Sequence, residues 1–95
     1  MNLQEYKKLL QPFRILDIQD LYIMRGLYYE EKQCVIAREL NVSPSTICAR
    51  LIRYRESFGD DFFIKEKGKS ILTKKGILIC GKAKLMFDYL MAEMN

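Results

Sequence analysis

The stretch LNVSPSTICARLIRYRESFGDDFFI, residues 40–64, carries the clearest structural signals in the chain. Ser43 is a favourable N-cap, and Pro44 stands at the first helical position, where a missing N–H has no cost. Gly59 is suited to end a helix. The stretch therefore predicts a helix over residues 44–58, and helical spacing gives it one buried face, formed by Ile47, Leu51, Tyr54 and Phe58.

The opposite face of this helix follows from the rotation of about 100° between successive helical residues. It contains Ser45, Ala49, Ile52, Arg53 and Glu56, with Thr46 beside them. Small hydroxyl residues permit close approach to bases and phosphates, Ala49 can contact a thymine methyl group, and Arg53 can reach a guanine edge or a phosphate. Arg50 lies on a flank suited to phosphate. Ser43 and Pro44 stand at the helix N-terminus, where free amides attract anions.

Weaker sequence signals predict further helices and strands on either side of residues 40–64. Residues 5–10 can begin a short helix before Pro12, Asp17 can cap a helix, and residues 32–40 form another that ends at Asn41. Residues 62–65 and 70–72 flank a glycine-containing tip and predict a β-hairpin. Thr73 can cap a last helix over residues 74–94. The predicted fold is mainly α with a small β-hairpin wing, a winged helix-turn-helix in the order helix, helix, turn, helix, strand, strand, long helix.

The positive charge is concentrated in the middle of the chain. The formal net charge is +4, but residues 32–75 alone hold ten basic and five acidic residues. Lys65, Lys67 and Lys69 cluster at the predicted hairpin. This distribution favours a surface that faces a polyanion, whereas an ordinary solvated surface is the simpler alternative. Combined with the helix-turn-helix pattern, it favours double-stranded DNA as the partner.

Composition limits the other possibilities. Ninety-five residues predict a single domain, residues 1–95, and three cysteines with long spacings and no histidine predict neither a disulfide framework nor a metal site. No cofactor or enzymatic activity is expected, because no glycine-rich phosphate loop or paired-carboxylate pattern is present and the thiols lack an imidazole partner. No membrane-spanning segment is expected, and three reduced thiols favour a cytoplasmic location.

The segment ARELNVSPSTICARLIRYRESFGDDFFIKEKGKSILTKKG resembles the N-terminal DNA-binding domain of the bacterial LysR-type transcriptional regulators. The matches are residues 37–40, 41–43, 58–59, 62–65 and 72–76, and the resemblance extends over residues 16–94. It implies a sequence-specific regulator of transcription that works as a dimer. The family's effector domain has no counterpart here, so no small-molecule inducer is expected.

Some residues depart from the family pattern. Ile36 replaces an alanine, Cys48 stands where serine is usual, and Ala49 and Ile52 stand where basic or polar residues are common. The last three lie on or beside the predicted recognition face, so the family's operator preference does not carry over. Ile52 points outward and is open to two interpretations, a contact with bases or a contact with a protein partner.

The last helix, residues 74–94, is predicted to be a dimerisation helix, as the family's linker helix is. Its apolar stripe is formed by Ile79, Ala83, Met86, Leu90 and Met94, and Leu78, Leu85 and Tyr89 add a second stripe. One stripe is enough to pack on the domain itself, so the surplus predicts a homodimer. The alternative is that residues 6–13 cover the extra face within one chain. The alternative function is a winged-helix protein-interaction module that pairs with or modulates another regulator.

Overall fold

The structure is a computed structural model that describes residues 2–67 and 69–94. It is mainly helical, with a two-stranded antiparallel hairpin, which confirms the predicted secondary-structure class. The elements, in chain order, are α1 (Leu3–Leu10), a 3-10 helix (Gln11–Ile15), α2 (Ile18–Tyr28), α3 (Gln33–Leu40), α4 (Pro44–Phe58), β1 (Phe63–Glu66), β2 (Lys69–Leu72) and α5 (Lys74–Met94).

The helix boundaries follow the capping residues that the sequence predicts. The Asp17 carboxylate accepts from the backbone N–H of Asp20, and the Asp20 carboxylate accepts from the backbone N–H of Asp17, which makes a capping box at the start of α2. Thr73 accepts from the N–H of Gly76 at the start of α5. Asn41 ends α3 with a φ of 58°, in the left-handed region that asparagine tolerates.

The core lies between α2, α3, α4 and α5. The four residues predicted for the inward face of α4 are all buried, and they are Ile47, Leu51, Tyr54 and Phe58. Met24 of α2, Ile36 of α3 and Cys80 of α5 are fully enclosed with them. Such close packing fixes the orientation of α4 on the domain.

Gly26, in the last turn of α2, allows α3 to approach closely. A Cβ atom at this position would lie 2.7 Å from Cδ1 and 2.9 Å from Cγ1 of Ile36. Ile36 is fully buried. The glycine weakens the helix by its own propensity, but it makes room for the larger side chain opposite.

The hairpin is held in one register by four residue pairs, Phe63↔Leu72, Ile64↔Ile71, Lys65↔Ser70 and Glu66↔Lys69. Successive strand residues point to opposite faces, so Phe63 and Lys65 share a face. Phe63 is buried in the core, whereas Lys65 is exposed further along the strand. The base of the hairpin therefore packs on the core, and the charged residues of the hairpin lie further out, in solvent.

Candidate nucleic-acid interface

Helix α4 is anchored to α2 by a buried carboxylate. Asp20 is fully buried, and its Oδ1 accepts from NH1 of Arg50 at 2.8 Å and from the hydroxyl of Tyr54. Arg50 also lies 3.7 Å from Oδ2 of Asp17. Burial and the hydrogen bond to Asp20 raise the pKa of Tyr54, so its hydroxyl remains a donor. Every buried side-chain nitrogen and oxygen atom of this cluster has a hydrogen-bond partner.

Arg50, which the sequence places on a flank of α4 suited to phosphate, is engaged by these two aspartates. Its side chain is 21% exposed, and its guanidinium faces the two aspartates rather than the outer surface of α4. A phosphate would have to compete with a buried carboxylate for this group. The geometry favours a role for Arg50 in holding α4 in place.

The outer face of α4 presents the predicted residues to solvent. Ser45, Ala49, Ile52 and Arg53 are exposed, and Thr46 is half-buried. Arg53 forms no ion pair within residues 2–67 and 69–94, although Glu56 lies one turn further along. An unpaired guanidinium on a rigid helix keeps its donors available to an external acceptor.

Three hydroxyl groups gather at the N-terminus of α4. The Ser43 Oγ accepts from the N–H of Thr46 at 3.3 Å and lies 2.8 Å from the Ser45 Oγ and 3.0 Å from the Thr46 Oγ1. Pro44 is exposed at the first position of the helix. The cluster is small and polar, so a large polar partner can approach the helix end closely.

The lysines of the hairpin are all exposed. Lys67 stands at the tip with a φ of 52°, in the left-handed region. Lys69 pairs across the hairpin with Glu66, which offsets part of its charge. Lys65 lies on the other face of the hairpin, opposite Ser70, and has no acidic cross-strand neighbour. Lys65 and Lys67 therefore contribute most of the free positive charge here.

Gln33 connects the hairpin to α4, and sequence reasoning did not single it out. Its Nε2 donates to the Ser70 Oγ of β2 at 3.3 Å, and its Oε1 accepts from the Cys48 Sγ of α4 at 3.5 Å. One side chain at the start of α3 thus contacts both elements of the predicted interface. Its signal in the sequence is weak, because a glutamine at the start of a helix is ordinary.

Several basic side chains of the central segment are already engaged. Arg55 lies over the ring of Phe63 at 5.0 Å, and Lys75 forms an ion pair with Asp61 at 3.1 Å. With Arg50 bound to Asp20, the free cations of this region are fewer than the composition indicates. Those with no ion pair in the described part of the chain include Arg53, Lys65, Lys67 and Lys69.

No known protein family, curated protein or solved structure matches this chain. None of the helices in residues 2–67 and 69–94 has the length and apolar character needed to cross a bilayer. Over the same residues, no three cysteine, aspartate or glutamate side chains come together in a way that could hold a metal ion.

The predicted dimer residues of α5 divide into two groups. Ala83 is 5% exposed and Ile79 is half-buried, and both pack on the core of their own domain. Ala83 is therefore a core residue, because its position on α5 faces α2. Met86, Leu90 and Met94 are exposed, as are Leu78, Leu85 and Tyr89 of the second stripe. The exposed apolar surface of α5 is centred on these six residues.

Proposed function

We propose that this protein is a sequence-specific double-stranded DNA-binding regulator of transcription, built as a winged helix-turn-helix and acting as a dimer in the cytoplasm. The observation that carries the proposal is the outer face of α4. A helix anchored by an ion pair to a buried carboxylate presents small residues, Ser45 and Ala49, beside an unpaired Arg53. A basic hairpin stands on the same domain.

The small side chains support a helix placed in the major groove. The major groove admits an α-helix, and short leading side chains allow the helix backbone to approach the base edges closely. Ser45, Thr46 and Ala49 have such side chains, and Arg53 is long enough to reach a guanine from the next turn. In this arrangement Ser43 and Pro44 lie against the backbone, since the helix N-terminus attracts phosphate.

The hairpin acts as the wing in this proposal. Lys65, Lys67 and Lys69 contact the flanking backbone or the minor groove, where they add affinity without sequence preference. The Gln33 side chain, which bonds to Ser70 and accepts from Cys48, helps to keep the wing and α4 in a constant relation. Arg50 supports the same geometry from the other flank through Asp20.

A dimer accounts for the apolar surface of α5. Met86, Leu90 and Met94 are exposed on one side of this helix, and Leu78, Leu85 and Tyr89 on the next. A patch of this kind on a small protein marks an interface. Twofold pairing would present two α4 helices to successive major grooves of one duplex.

One observation favours a second function, a winged-helix module that binds a protein. Ile52 is 56% exposed in the middle of the α4 outer face. A branched apolar side chain is usual in a protein interface, although it can also contact a thymine methyl group. A DNA-binding regulator should bind duplex DNA with an affinity that falls as salt rises, whereas a protein-binding module should not.

Selection of bound duplexes from a random pool, followed by fluorescence anisotropy with the best duplex and a scrambled one, tests the proposal. We expect an enriched sequence with two related half-sites. We also expect the logarithm of the binding constant to fall linearly with the logarithm of salt concentration, because lysine and arginine contacts release counterions. A pool without enrichment, together with retention that is insensitive to salt, would favour the protein-interaction module.

A further inference from the structure

Helix α1 is amphipathic, but it buries none of its residues in its own domain. Leu3, Tyr6 and Leu10 follow i, i+3, i+7 spacing and are each more than half exposed, and Leu9 beside them is too. The polar residues Gln4 and Lys8 occupy the other side. A short helix of this kind gains stability from the packing of its apolar face, and here that face has no partner.

An apolar groove lies on the same domain, between the start of α2 and α5. Its floor includes Phe13, Leu16 and Leu21, and its wall on α5 includes Met86 and Leu90. The wider part encloses about 510 Å³ and continues into a narrower part of about 120 Å³. The chain therefore contains both an apolar groove and an apolar helix without a partner.

The α1 of the same chain does not fill this groove. Leu10, its last residue, stands at the rim, and the chain then enters the 3-10 helix Gln11–Ile15. Phe13 of that helix packs edge-on against Phe58, with ring centroids 5.2 Å apart, which ties the connection to the core. A short connection fixed in this way keeps Leu3 and Tyr6 out in solvent.

We propose that α1 of a second copy of this chain lies in the groove, and that the two copies exchange α1 helices about a twofold axis. This inference rests on the dimer of the proposed function and specifies how that dimer is built. The outward stripe Leu78, Leu85 and Tyr89 lies next to Met86 on α5, so one continuous surface includes both the groove and this stripe. Exchange of short-tethered elements is a common route to symmetric dimers.

The exposed area is large enough for a stable dimer. Six exposed large hydrophobic side chains lie on residues 3–18, and six lie on the two stripes of α5. A large apolar side chain that is half exposed leaves roughly 60 Å² of apolar area in water, which gives on the order of 700 Å² for the surface. That area is about what each partner contributes to a stable interface.

The charges at the edges of the groove and the charges of α1 are also complementary. Asp17 lies on the rim of the groove with its side chain 56% exposed, and Lys7 and Lys8 lie in the last turn of α1. Lys82 borders the narrower part of the groove, and α1 carries Glu5 in its first turn. Opposite signs on the two surfaces favour a second copy as the occupant.

Photo-crosslinking tests this arrangement directly. Benzoylphenylalanine is placed at Tyr6 in the full chain, and ¹⁴N- and ¹⁵N-labelled copies are mixed, refolded together, irradiated and analysed by mass spectrometry. We expect links from the first-helix peptide to peptides containing Met86 or Leu90, in pairs of mixed isotope. Links within one copy, links elsewhere, or the absence of links would each overturn the proposal. The same substitution at Gln4, on the polar side of α1, provides the matched control.

A pair of variants provides an independent measurement. Tyr6→Asp places a charge on the apolar face of α1, and Gln4→Asp places the same charge on its polar face. By sedimentation velocity, we expect at least a tenfold rise in the dimer dissociation constant for Tyr6→Asp and little change for Gln4→Asp. Equal dissociation constants would overturn the proposal. Cross-links that form in a protein without affinity for duplex DNA would reject the proposed function and leave the exchanged dimer standing.

Discussion

Arg50 donates to the buried Oδ1 of Asp20 at 2.8 Å, and this bond joins the start of α2 to the middle of α4. The same oxygen accepts from Tyr54, one turn further along α4. Asp20 is fully buried, so its charge is stabilised by these two donors and by the capping box with Asp17. This carboxylate therefore adds a polar anchor to the core packing that fixes the orientation of the candidate recognition helix.

Replacing Asp20 should destabilise the protein strongly. Asp20→Ala leaves the Arg50 guanidinium and the buried Tyr54 hydroxyl without their acceptor, and each unsatisfied buried donor costs about 1–3 kcal/mol. Urea denaturation followed by circular dichroism measures the change. Asp61→Ala, which removes an exposed ion pair with Lys75, is the control and should cost less than about 1 kcal/mol. Similar losses in both variants would contradict a special role for Asp20.

Arg53 should determine sequence preference. If its guanidinium reads a guanine, Arg53→Ala costs about 1–3 kcal/mol of binding free energy on the best duplex and much less on a scrambled duplex. Arg38→Ala removes an exposed charge from α3 and is the matched control. Fluorescence anisotropy on both duplexes gives the comparison. An equal loss on the two duplexes would assign Arg53 to a phosphate instead.

The hairpin should contribute affinity that depends on salt and not on sequence. Lys67→Asn is preferable to alanine at the tip, because asparagine tolerates the left-handed conformation found there. Combined with Lys69→Ala, it should weaken binding to all duplexes alike. It should also reduce the magnitude of the slope of log binding constant against log salt concentration by roughly 2 per subunit at most. Glu66→Gln should have the opposite effect, since Glu66 lies across from Lys69. An unchanged slope would place the hairpin away from DNA.

The parts of this fold that were predictable are those with local signals. Ser43 and Pro44 at one end of α4 and Gly59 at the other define the helix without reference to the rest of the chain, and its bounds are confirmed. The same is true of the Asp17 cap and of Asn41. Capping and helix-stop residues act on backbone groups only a few positions away, so a short window of sequence is enough to predict their effect.

The parts that were not predictable depend on contacts between distant residues. Helical spacing places Arg50 on a flank of α4, but it does not reveal that Asp20, thirty positions earlier, is buried beside it. Ala83 belongs to an apolar stripe that covers more than half of α5, and only the docking of α2 shows that this position faces inward. Periodicity identifies apolar faces, whereas tertiary packing decides which of them remain exposed.

Acid should weaken the fold through Asp88. The hydrogen bond from Arg25, at 2.8 Å, holds the pKa of this carboxyl below its ordinary value of 3.8, and Lys84 adds to the effect. A carboxyl whose pKa is lower in the folded state stabilises the protein above its unfolded pKa, and this contribution is lost as the pH falls through the folded pKa. Asp88→Asn should therefore flatten the dependence of unfolding free energy on pH below about 4. Parallel curves for wild type and variant, measured by urea denaturation, would contradict this.

The three thiols should differ in reactivity, and their labelling can be used to test the proposed DNA interface. Burial raises the pKa of Cys80 to about 12, whereas Cys34 and Cys48 are exposed. Because thiolates are the reactive species and Cys80 is also inaccessible, a maleimide should label two cysteines in the folded protein and three in urea. Labelling of three cysteines before unfolding would mean that α5 is not packed on α2.

Cys48 lies on the flank of α4, where its Sγ donates to Gln33, and it should lie against the duplex if α4 enters the major groove. Saturation with the selected duplex should slow the labelling of Cys48 at least tenfold, as measured by mass spectrometry of its peptide. Arg53→Ala should reduce this protection at equal DNA concentration, because fewer molecules are bound. Unchanged labelling of Cys48 in a fully bound complex would place α4 outside the groove and move the DNA contact to another face of the protein.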